Sequence, residues 1–173
     1  MKPLFKFSAI ALLTITCSYN SSFAQQTSSA TATASATIIT PISISKTADM
    51  DFGKIAVSAS SGGTVVLAPA GTRTTTGSVS LPAIAGSPSA AAFTVTGQGN
   101  YTYSITLPSS ATLSDGASHT MTAGSFTSSP STTGTLSSGT QNLTVGATLT
   151  VAAAQTPGTY STSTPFTVTV NYN

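Results

Sequence analysis

The sequence has few of the residues from which active sites are built. Its 173 residues include no Glu and no Trp, one His, one Cys and three acidic residues, all of them Asp. Hydrolytic and group-transfer enzymes need a nucleophile beside a base, a pair of carboxylates, or a cage of metal ligands. This supply is too small for any of the three. We therefore predict a non-enzymatic protein with no catalytic residue and no cofactor.

The single histidine, His119, lies in the alternating run Ser118-His119-Thr120-Met121. Alternation of this kind is typical of a strand with one solvated face. We find no partner acid for it close in the sequence, so we interpret His119 as a solvent-facing strand residue rather than a general base.

Charged side chains are equally scarce. Of the five Lys and Arg residues, Lys2 and Lys6 fall at the very start, and the three that remain balance the three Asp. Nucleic acid or an anionic membrane surface would require a basic patch. We therefore expect no nucleic-acid partner.

The first 24 residues are typical of a secretory signal peptide. Lys2 and Lys6 supply positive charge, Phe7 to Ile15 is mostly apolar, and Ser22-Phe23-Ala24 is a small-x-small cleavage site. The apolar run is shorter than the roughly 20 residues that span a bilayer. We expect export with cleavage after Ala24, no membrane insertion of the mature chain, and a location in the periplasm and then at the cell surface or outside the cell.

Cys17 lies within the segment that we expect to be removed. Lipoprotein processing would cleave before it and attach lipid, but Thr14-Ile15-Thr16 differs from the Leu and small residues usual at such a site. Lipidation of Cys17 stays an open alternative. Otherwise the mature chain has no disulfide in a compartment where disulfides form, and its stability depends on packing and backbone pairing.

Residues 25–37 form an extension of Gln, Ser, Thr and Ala. Small apolar side chains occupy every second position, which is the period of a β-strand. Alanine buries little surface, so we expect the segment to become ordered only when something holds both of its edges. A Ser/Thr/Ala linker is the alternative. As a donor strand the extension would present Ala30, Ala32, Ala34, Ala36 and Ile38.

Beyond the extension, short apolar-alternating segments are separated by turn residues. They recur at intervals of roughly 8 to 15 residues without helical periodicity between them, which indicates an all-β sandwich. We predict a signal peptide over 1–24, an extension over 25–37 and an immunoglobulin-like two-sheet β-sandwich over 38–173, with strand exchange between subunits left open. The expected strands are 38–44, 50–55, 63–67, 78–84, 92–96, 101–107, 119–126, 143–151 and 166–172.

The C-terminal segment has the clearest strand pattern. Phe166, Val168, Val170 and Tyr172 occupy every second position, with polar residues between them. Burying four such side chains contributes roughly 6 to 12 kcal/mol, which is comparable to the net stability of a domain. We therefore expect the chain to need its own C-terminus for folding, and we predict that these four residues form the strand at which subunits assemble.

Asp49 and Asp51 are the only candidates for a metal site. They stand two residues apart, as at the start of a calcium loop, but the rest of that loop and its closing Glu are absent. We interpret both as solvent-facing, with Met50 and Phe52 in the core and Gly53 in a turn or bulge. We predict that the protein holds no metal.

Two motifs carry a resemblance to a known family. Ala48-Asp49-Met50-Asp51-Phe52-Gly53 and Pro157-Gly158-Thr159-Tyr160, together with residues 143–151 and the ending Val168 to Tyr172, are similar to the bacterial family called domain of unknown function 4402. The resemblance covers nearly all of the mature chain. Because the family name carries no function, it implies a fold and a compartment only.

A looser resemblance is to subunits of chaperone-usher pili. These end in an alternating strand with a penultimate aromatic residue, which Tyr172 matches, and have a glycine before that strand, which Gly158 matches less closely. In such subunits the extension of the next subunit completes the sandwich by β-augmentation. The resemblance implies as partners other copies or related subunits, a periplasmic chaperone and an outer-membrane usher. This chain differs in having no disulfide and an alanine-rich donor row.

Two functions follow from these observations. The first is a secreted structural protein of the bacterial cell surface, a pilin-like subunit or coat component that assembles by β-strand addition. The alternative is a self-contained adhesin-type module that binds through sandwich-end loops such as 86–91 or 115–118. The two differ in whether the sandwich is complete without a strand from another molecule.

Overall fold

A computed structural model describes residues Gln26 to Asn173, so the expected signal peptide, its Cys17 and Gln25 lie outside the described residues. The chain divides at Ile38 into two units. In the first unit, residues 26–37 have no regular secondary structure and are exposed. The second unit carries all of the strands, and the described residues contain no helix. Nothing in this part of the chain is therefore a helix long and apolar enough to cross a membrane.

Thirteen strands make up the second unit as the structure describes it. In chain order they are β1 (Ser43–Ala48), β2 (Ala56–Val57), β3 (Gly63–Leu67), β4 (Arg73–Gly77), β5 (Val79–Ser80), β6 (Ala91–Thr96), β7 (Thr102–Thr106), β8 (Ser110–Ser114), β9 (Thr120–Ser129), β10 (Thr133–Thr135), β11 (Thr140–Val151), β12 (Ser161–Thr162) and β13 (Thr169–Tyr172).

The strands form one large sheet and two small ones, in which each pair is antiparallel. The large sheet has the order β1-β6-β11-β9-β8-β12, with β3 paired to β11 and β4 paired to β3. The small sheets have the orders β10-β7-β13 and β2-β5. The all-β prediction is confirmed, and the several sheets are consistent with a β-sandwich. The immunoglobulin-like arrangement and strand exchange stay predictions.

The longest strand, β11, organises the large sheet. Its first half pairs with β6, its second half pairs with β3, and β9 runs along its other edge. Successive side chains of a strand point to opposite faces, so one face of β11 faces the core along its whole length. Its buried apolar residues on that face are Leu143, Val145, Ala147, Leu149 and Val151.

Buried side chains form two apolar clusters. The first lies around β3 and the second half of β11, and its largest members include Leu67 and Leu149. The second lies around the β10-β7-β13 sheet, and its largest members include Tyr103 and Leu143. Met50 packs against both clusters, as does Phe126. The core is therefore divided, and the space between its halves is where a groove opens.

The first strand begins later than the expected 38–44. Ile38 is 96% exposed, and the first strand starts only at Ser43. Pro41 precedes that strand and has no N–H to donate to a ladder, so pairing with β6 begins after it. The sequence interpretation also missed β4, β8, β10 and β12, because Thr and Ser fill much of them and leave few apolar residues to mark the period. In place of the strand expected over 50–55, the structure has a single bridge at Asp51 and the short β2 that follows.

Candidate assembly groove

The C-terminal segment lies at an open edge of the β10-β7-β13 sheet. Its strand covers Thr169–Tyr172 and pairs with β7 alone, so the strand predicted from Phe166 is shorter than expected. The partner strand β7 ends at Thr106 and is followed by Leu107 and Pro108, which has no N–H. The described hydrogen bonds accordingly include none to the backbone of residues 163–168.

The predicted assembly residues lie on the inner face of this segment. Val168 and Val170 are each 8% exposed and belong to the second core cluster, while Phe166 and Tyr172 are half-buried and pack against it. Phe166 also contacts Phe126 of the large sheet, with ring centroids 5.1 Å apart. The alternation of burial therefore extends beyond the paired strand to Phe166.

The same residues present unpaired backbone groups. The N–H of Asn173 donates to the carbonyl of Thr102. This hydrogen bond shows which residues of β13 direct their backbone groups toward β7: Asn173, Asn171 and Thr169. In an antiparallel pair, inward- and outward-directed backbone groups alternate along the strand. The N–H and C=O groups of Val168, Val170 and Tyr172 therefore point away from β7, toward an edge that no other described strand covers.

Pro165 and Phe166, which precede this strand, line an apolar groove of about 520 Å³. The large sheet provides much of its floor, and the segments around Met50 and Tyr160 provide its sides. At the spacings of a sandwich a strand fills about 160 Å³ per residue, so the groove has room for roughly three residues. The apolar side chains that line it are Ala48, Met50, Phe52, Ala91, Phe93, Ala111, Leu113, Ala123, Phe126, Tyr160, Pro165 and Phe166.

A second cleft, of about 550 Å³, also includes Pro165 and Phe166 among its lining residues. Hydroxyl groups are frequent around it, including those of Thr106 and Ser163. The segment from Ser163 to Thr167 thus borders open space in both cavities. This explains why its backbone is left without partners although its side chains alternate.

The weak metal candidates are both engaged at the rim of the groove. The Asp49 carboxylate forms an ion pair with Lys46 at 2.6 Å, and one oxygen of Asp51 accepts a hydrogen bond from the N–H of Gly53 at 2.6 Å. Met50 packs on the core and Phe52 is buried, as interpreted from the sequence. Among the described residues no group of three or more His, Cys, Asp or Glu could hold a metal ion.

Calcium is therefore expected to leave the melting temperature unchanged. Two carboxylates supply too few of the roughly 6 to 8 oxygens that calcium takes, and Asp51 already caps a turn. The measurement is a thermal melt of the purified protein with added calcium and then with a chelator. A reversible shift of several degrees that disappears in Asp51→Asn would contradict this prediction.

Tyr172 joins β13 to the residues that precede β1 and follow β6. The Tyr172 hydroxyl donates a hydrogen bond to the carbonyl of Thr40 at 2.7 Å and accepts one from the N–H of Gln98 at 2.6 Å. The Gln98 side chain in turn accepts a hydrogen bond from the N–H of Thr40 at 3.3 Å. A side chain at Gly97 would overlap the Tyr172 hydroxyl, so glycine is required for this approach. We call these contacts the Tyr172 clamp; the sequence analysis did not find Thr40 or Gln98.

The predicted donor residues are exposed. Ala30, Ala32, Ala34 and Ala36 belong to the first unit, which the structure describes without a strand. Ile38 begins the second unit and, at 96%, is the most exposed of its large hydrophobic side chains in the described chain. A large apolar side chain left in solvent is a feature of surfaces that bind a partner.

The structure also corrects the interpretation of His119, which does have a partner acid. Its Nδ1 lies 2.6 Å from a carboxylate oxygen of Asp115, four residues earlier. The His119 side chain, followed by the N–H of Ala117, lowers the pKa of the Asp115 carboxyl below its ordinary range. No described side chain forms a hydrogen bond with the His119 Nε2, so the pair orders the loop between β8 and β9. The spacing of Asp115 and His119 is the signal that could have identified it.

Comparison with known proteins gives one match. The family model described as Domain of unknown function (DUF4402) matches residues 42–172. The match includes the rim of the groove, its floor and the assembly residues. No curated protein and no solved structure matches the chain.

Proposed function

The chain belongs to the DUF4402 family, and we propose that it is a secreted structural protein of the bacterial cell surface that assembles by β-strand addition. The observation that carries the proposal is the open edge of the C-terminal segment, whose Phe166 lines an apolar groove with room for about three residues of strand. An edge of this kind readily pairs with another chain unless something covers it. Export through the expected signal peptide, and a chaperone and usher that hold the edge before assembly, belong to the same proposal.

The proposed occupant is the extension of a neighbouring copy. Residues 26–37 contain no charged side chain, so they enter an apolar groove without the cost of burying a charge. Their small residues continue in register to Ile38, so one face of such a strand carries Ala30 to Ala36 and then a single large side chain.

Apolar contact decides whether this pairing is stable. Phe166, Val168 and Val170 can form about six backbone hydrogen bonds with an incoming strand, which contribute about 3 to 9 kcal/mol. Association itself costs about 4 to 15 kcal/mol. Alanine burial adds little, whereas burying Ile38 fully contributes about 1.5 to 3 kcal/mol. We therefore assign to Ile38 the anchoring role in the junction between donor and acceptor.

The test compares assembly of the mature chain, residues 25–173, with that of a chain lacking residues 25–37, by size-exclusion chromatography with light scattering. We expect the mature chain to assemble, the shortened chain to be monomeric, and a peptide of residues 26–38 added in trans to bind and raise the melting temperature by several degrees.

Ile38→Ser in the mature chain is expected to weaken assembly about tenfold or more, since it removes the large apolar anchor. Ile84→Ser is the matched control, because Ile84 is also exposed, at 75%, but lies in the loop between β5 and β6. Equal effects of the two substitutions would indicate nonspecific association. A mature chain that stays monomeric and melts identically with and without the extension would refute strand addition.

That last outcome would favour the alternative, a self-contained adhesin-type module. One observation supports it: the 115–119 loop is held in a fixed conformation, because Asp115 accepts hydrogen bonds from the N–H groups of Ala117 and His119. Such a loop presents exposed groups to a partner with little ordering cost.

A further inference from the structure

The cleft of about 550 Å³ opens where the ladder between β7 and β13 stops. The last pair of that ladder is Thr106 with Thr169. The next hydrogen-bonded pair would be Pro108 with Thr167, but Pro108 has no N–H, and the described hydrogen bonds include none between these two residues. The two segments therefore separate here, and the first residues of β8 also line the space.

Side-chain hydroxyl groups dominate this lining, and we call the space the hydroxyl cleft. Seven of its twelve lining residues are Ser or Thr, and the other five are apolar, so none of the described lining residues is charged. The abundance of Ser and Thr in the chain does not explain this, because only three of the 18 residues that line the apolar groove are Ser or Thr, and that groove includes Lys46, Asp49 and Asp51. The seven residues, all exposed, are Thr106, Ser110, Thr112, Ser163, Thr164, Thr167 and Thr169.

The hydroxyl groups of the cleft form two rows. Thr167 and Thr169 lie two residues apart in an extended segment, so they share a face at a spacing of about 6.6 to 6.8 Å, and Thr106 stands opposite Thr169 in the ladder. Ser110 and Thr112 form a similar pair on β8. The described side-chain hydrogen bonds include none to any of the seven hydroxyl groups. An external partner can therefore bind them without breaking a described contact.

We propose that the hydroxyl cleft binds a neutral carbohydrate. Each Ser, Thr or sugar hydroxyl is both a donor and an acceptor, so two facing rows of them can pair in either direction. An acidic or basic ligand would lose hydration here without gaining an opposite charge, which excludes charged sugars. Leu107, Pro108 and Pro165 supply apolar surface for the C–H groups of a sugar ring. A volume of about 550 Å³ lies within the roughly 300 to 1,000 Å³ of small-ligand sites.

A peptide strand suits this cleft less well than a sugar does. A strand binds through rows of backbone N–H and C=O groups, and Pro108 and Pro165 interrupt such rows because neither has an N–H. The groups that the cleft offers are mainly side-chain hydroxyls. The inference is therefore independent of strand addition and holds for a monomer as well as for an assembly.

Binding of oligosaccharides to the mature chain, residues 25–173, tests the proposal. The probes are neutral gluco-, manno- and galacto-oligosaccharides, with sialylated and sulfated oligosaccharides as acidic counterparts. Saturation-transfer difference NMR detects weak ligands, and a titration gives the Kd. Because a few neutral hydrogen bonds bind weakly, we expect at least one neutral probe to bind with a Kd of about 0.1 to 10 mM and the acidic probes not to bind.

Replacing Thr106, Thr167 and Thr169 together by Val removes three hydroxyl groups and keeps the branched side chains. We expect this triple variant to bind the neutral probe about tenfold or more weakly. Thr74→Val is the matched control, since Thr74 is an exposed strand residue of β4 that lines neither cavity and has no described side-chain hydrogen bond. Val favours strands, so urea unfolding should show both variants folded, and Thr112→Val gives a second reduction in binding from β8.

Three outcomes would refute the carbohydrate site. The first is no saturation transfer to any neutral probe at about 10 mM. The second is binding that the triple variant retains in full, or equal binding of the acidic probes, because either places the sugar outside the hydroxyl cleft. The third is a peptide of residues 26–38 that binds the mature chain, loses binding in the triple variant and finds no competing sugar, since the cleft would then receive a strand.

Discussion

Tyr103→Ala is expected to lower the free energy of unfolding by about 3 to 5 kcal/mol, which is a third or more of the stability of an ordinary domain. Tyr103 is fully buried in the second cluster, on the central strand of the β10-β7-β13 sheet. Removing its ring would leave a cavity between that sheet and Leu143 of the large sheet. Urea unfolding followed by far-ultraviolet circular dichroism measures the loss.

The hydroxyl of Tyr103 contributes much less than its ring. It donates a hydrogen bond to the Gln141 side-chain oxygen at 2.9 Å, and burial raises its pKa above the ordinary value, so it stays protonated at neutral pH. In Tyr103→Phe that oxygen still accepts a hydrogen bond from the N–H of Thr135, so we expect a loss of only about 1 kcal/mol. A Tyr103→Ala protein within about 1 kcal/mol of the wild type would mean that the second cluster does not hold the small sheet.

Gly53→Ala is expected to cost about 2 to 5 kcal/mol of stability, which is the second large effect. Gly53 has a φ of +68°, a conformation that costs an L residue about 1 to 2 kcal/mol. An added Cβ would lie 2.5 Å from the carbonyl oxygen of Ala85 and 2.8 Å from the Arg73 guanidinium. That carbonyl accepts a hydrogen bond from the N–H of Lys54, so relieving the overlap disturbs a pairing.

Gly71→Ala is the matched control for Gly53→Ala. Gly71 has a φ of +82°, but a Cβ there would meet nothing within 4 Å, so only the backbone cost of about 1 to 2 kcal/mol is expected. The difference between the two variants in melting or urea unfolding isolates the steric contribution. Equal losses would show that the loop around Gly53 yields without cost.

The motif that carries the family resemblance is thus structural at each position the structure describes. Phe52 is buried, Gly53 has no room for a side chain, and Asp51 accepts the hydrogen bond that closes the turn. Arg73 fixes the same turn, because its guanidinium donates hydrogen bonds to the carbonyls of Phe52 and Lys54. The motif therefore fixes a turn of the fold, and its residues from Ala48 to Phe52 also line the groove.

The sequence determined the features that depend on neighbouring residues. Alternation predicted the inward positions of β11 and of the C-terminal segment, because the two-residue period of a strand is local. Alternation failed inside β9. Met121 and Ala123, at odd-numbered positions, face the core, but so does Phe126, at an even-numbered position. Ser125, with a φ of 47°, and the shift in pairing with β11 mark a bulge that turns Phe126 toward the groove. Gly124, directly before Ser125, is the sequence signal for that bulge, because glycine inside a strand pattern often marks one.

Which edge stays open and where the groove lies depend on strands that are distant in the sequence. The groove floor comes from β6, β8 and β9, and the Tyr172 hydroxyl donates a hydrogen bond to Thr40, 132 residues earlier. Strand order is set by which pairings bury the most apolar surface together, and this depends on residues distant in the chain. The composition could therefore predict an all-β fold and an alternating C-terminus, whereas the clamp and the open edge arise only when those distant strands meet.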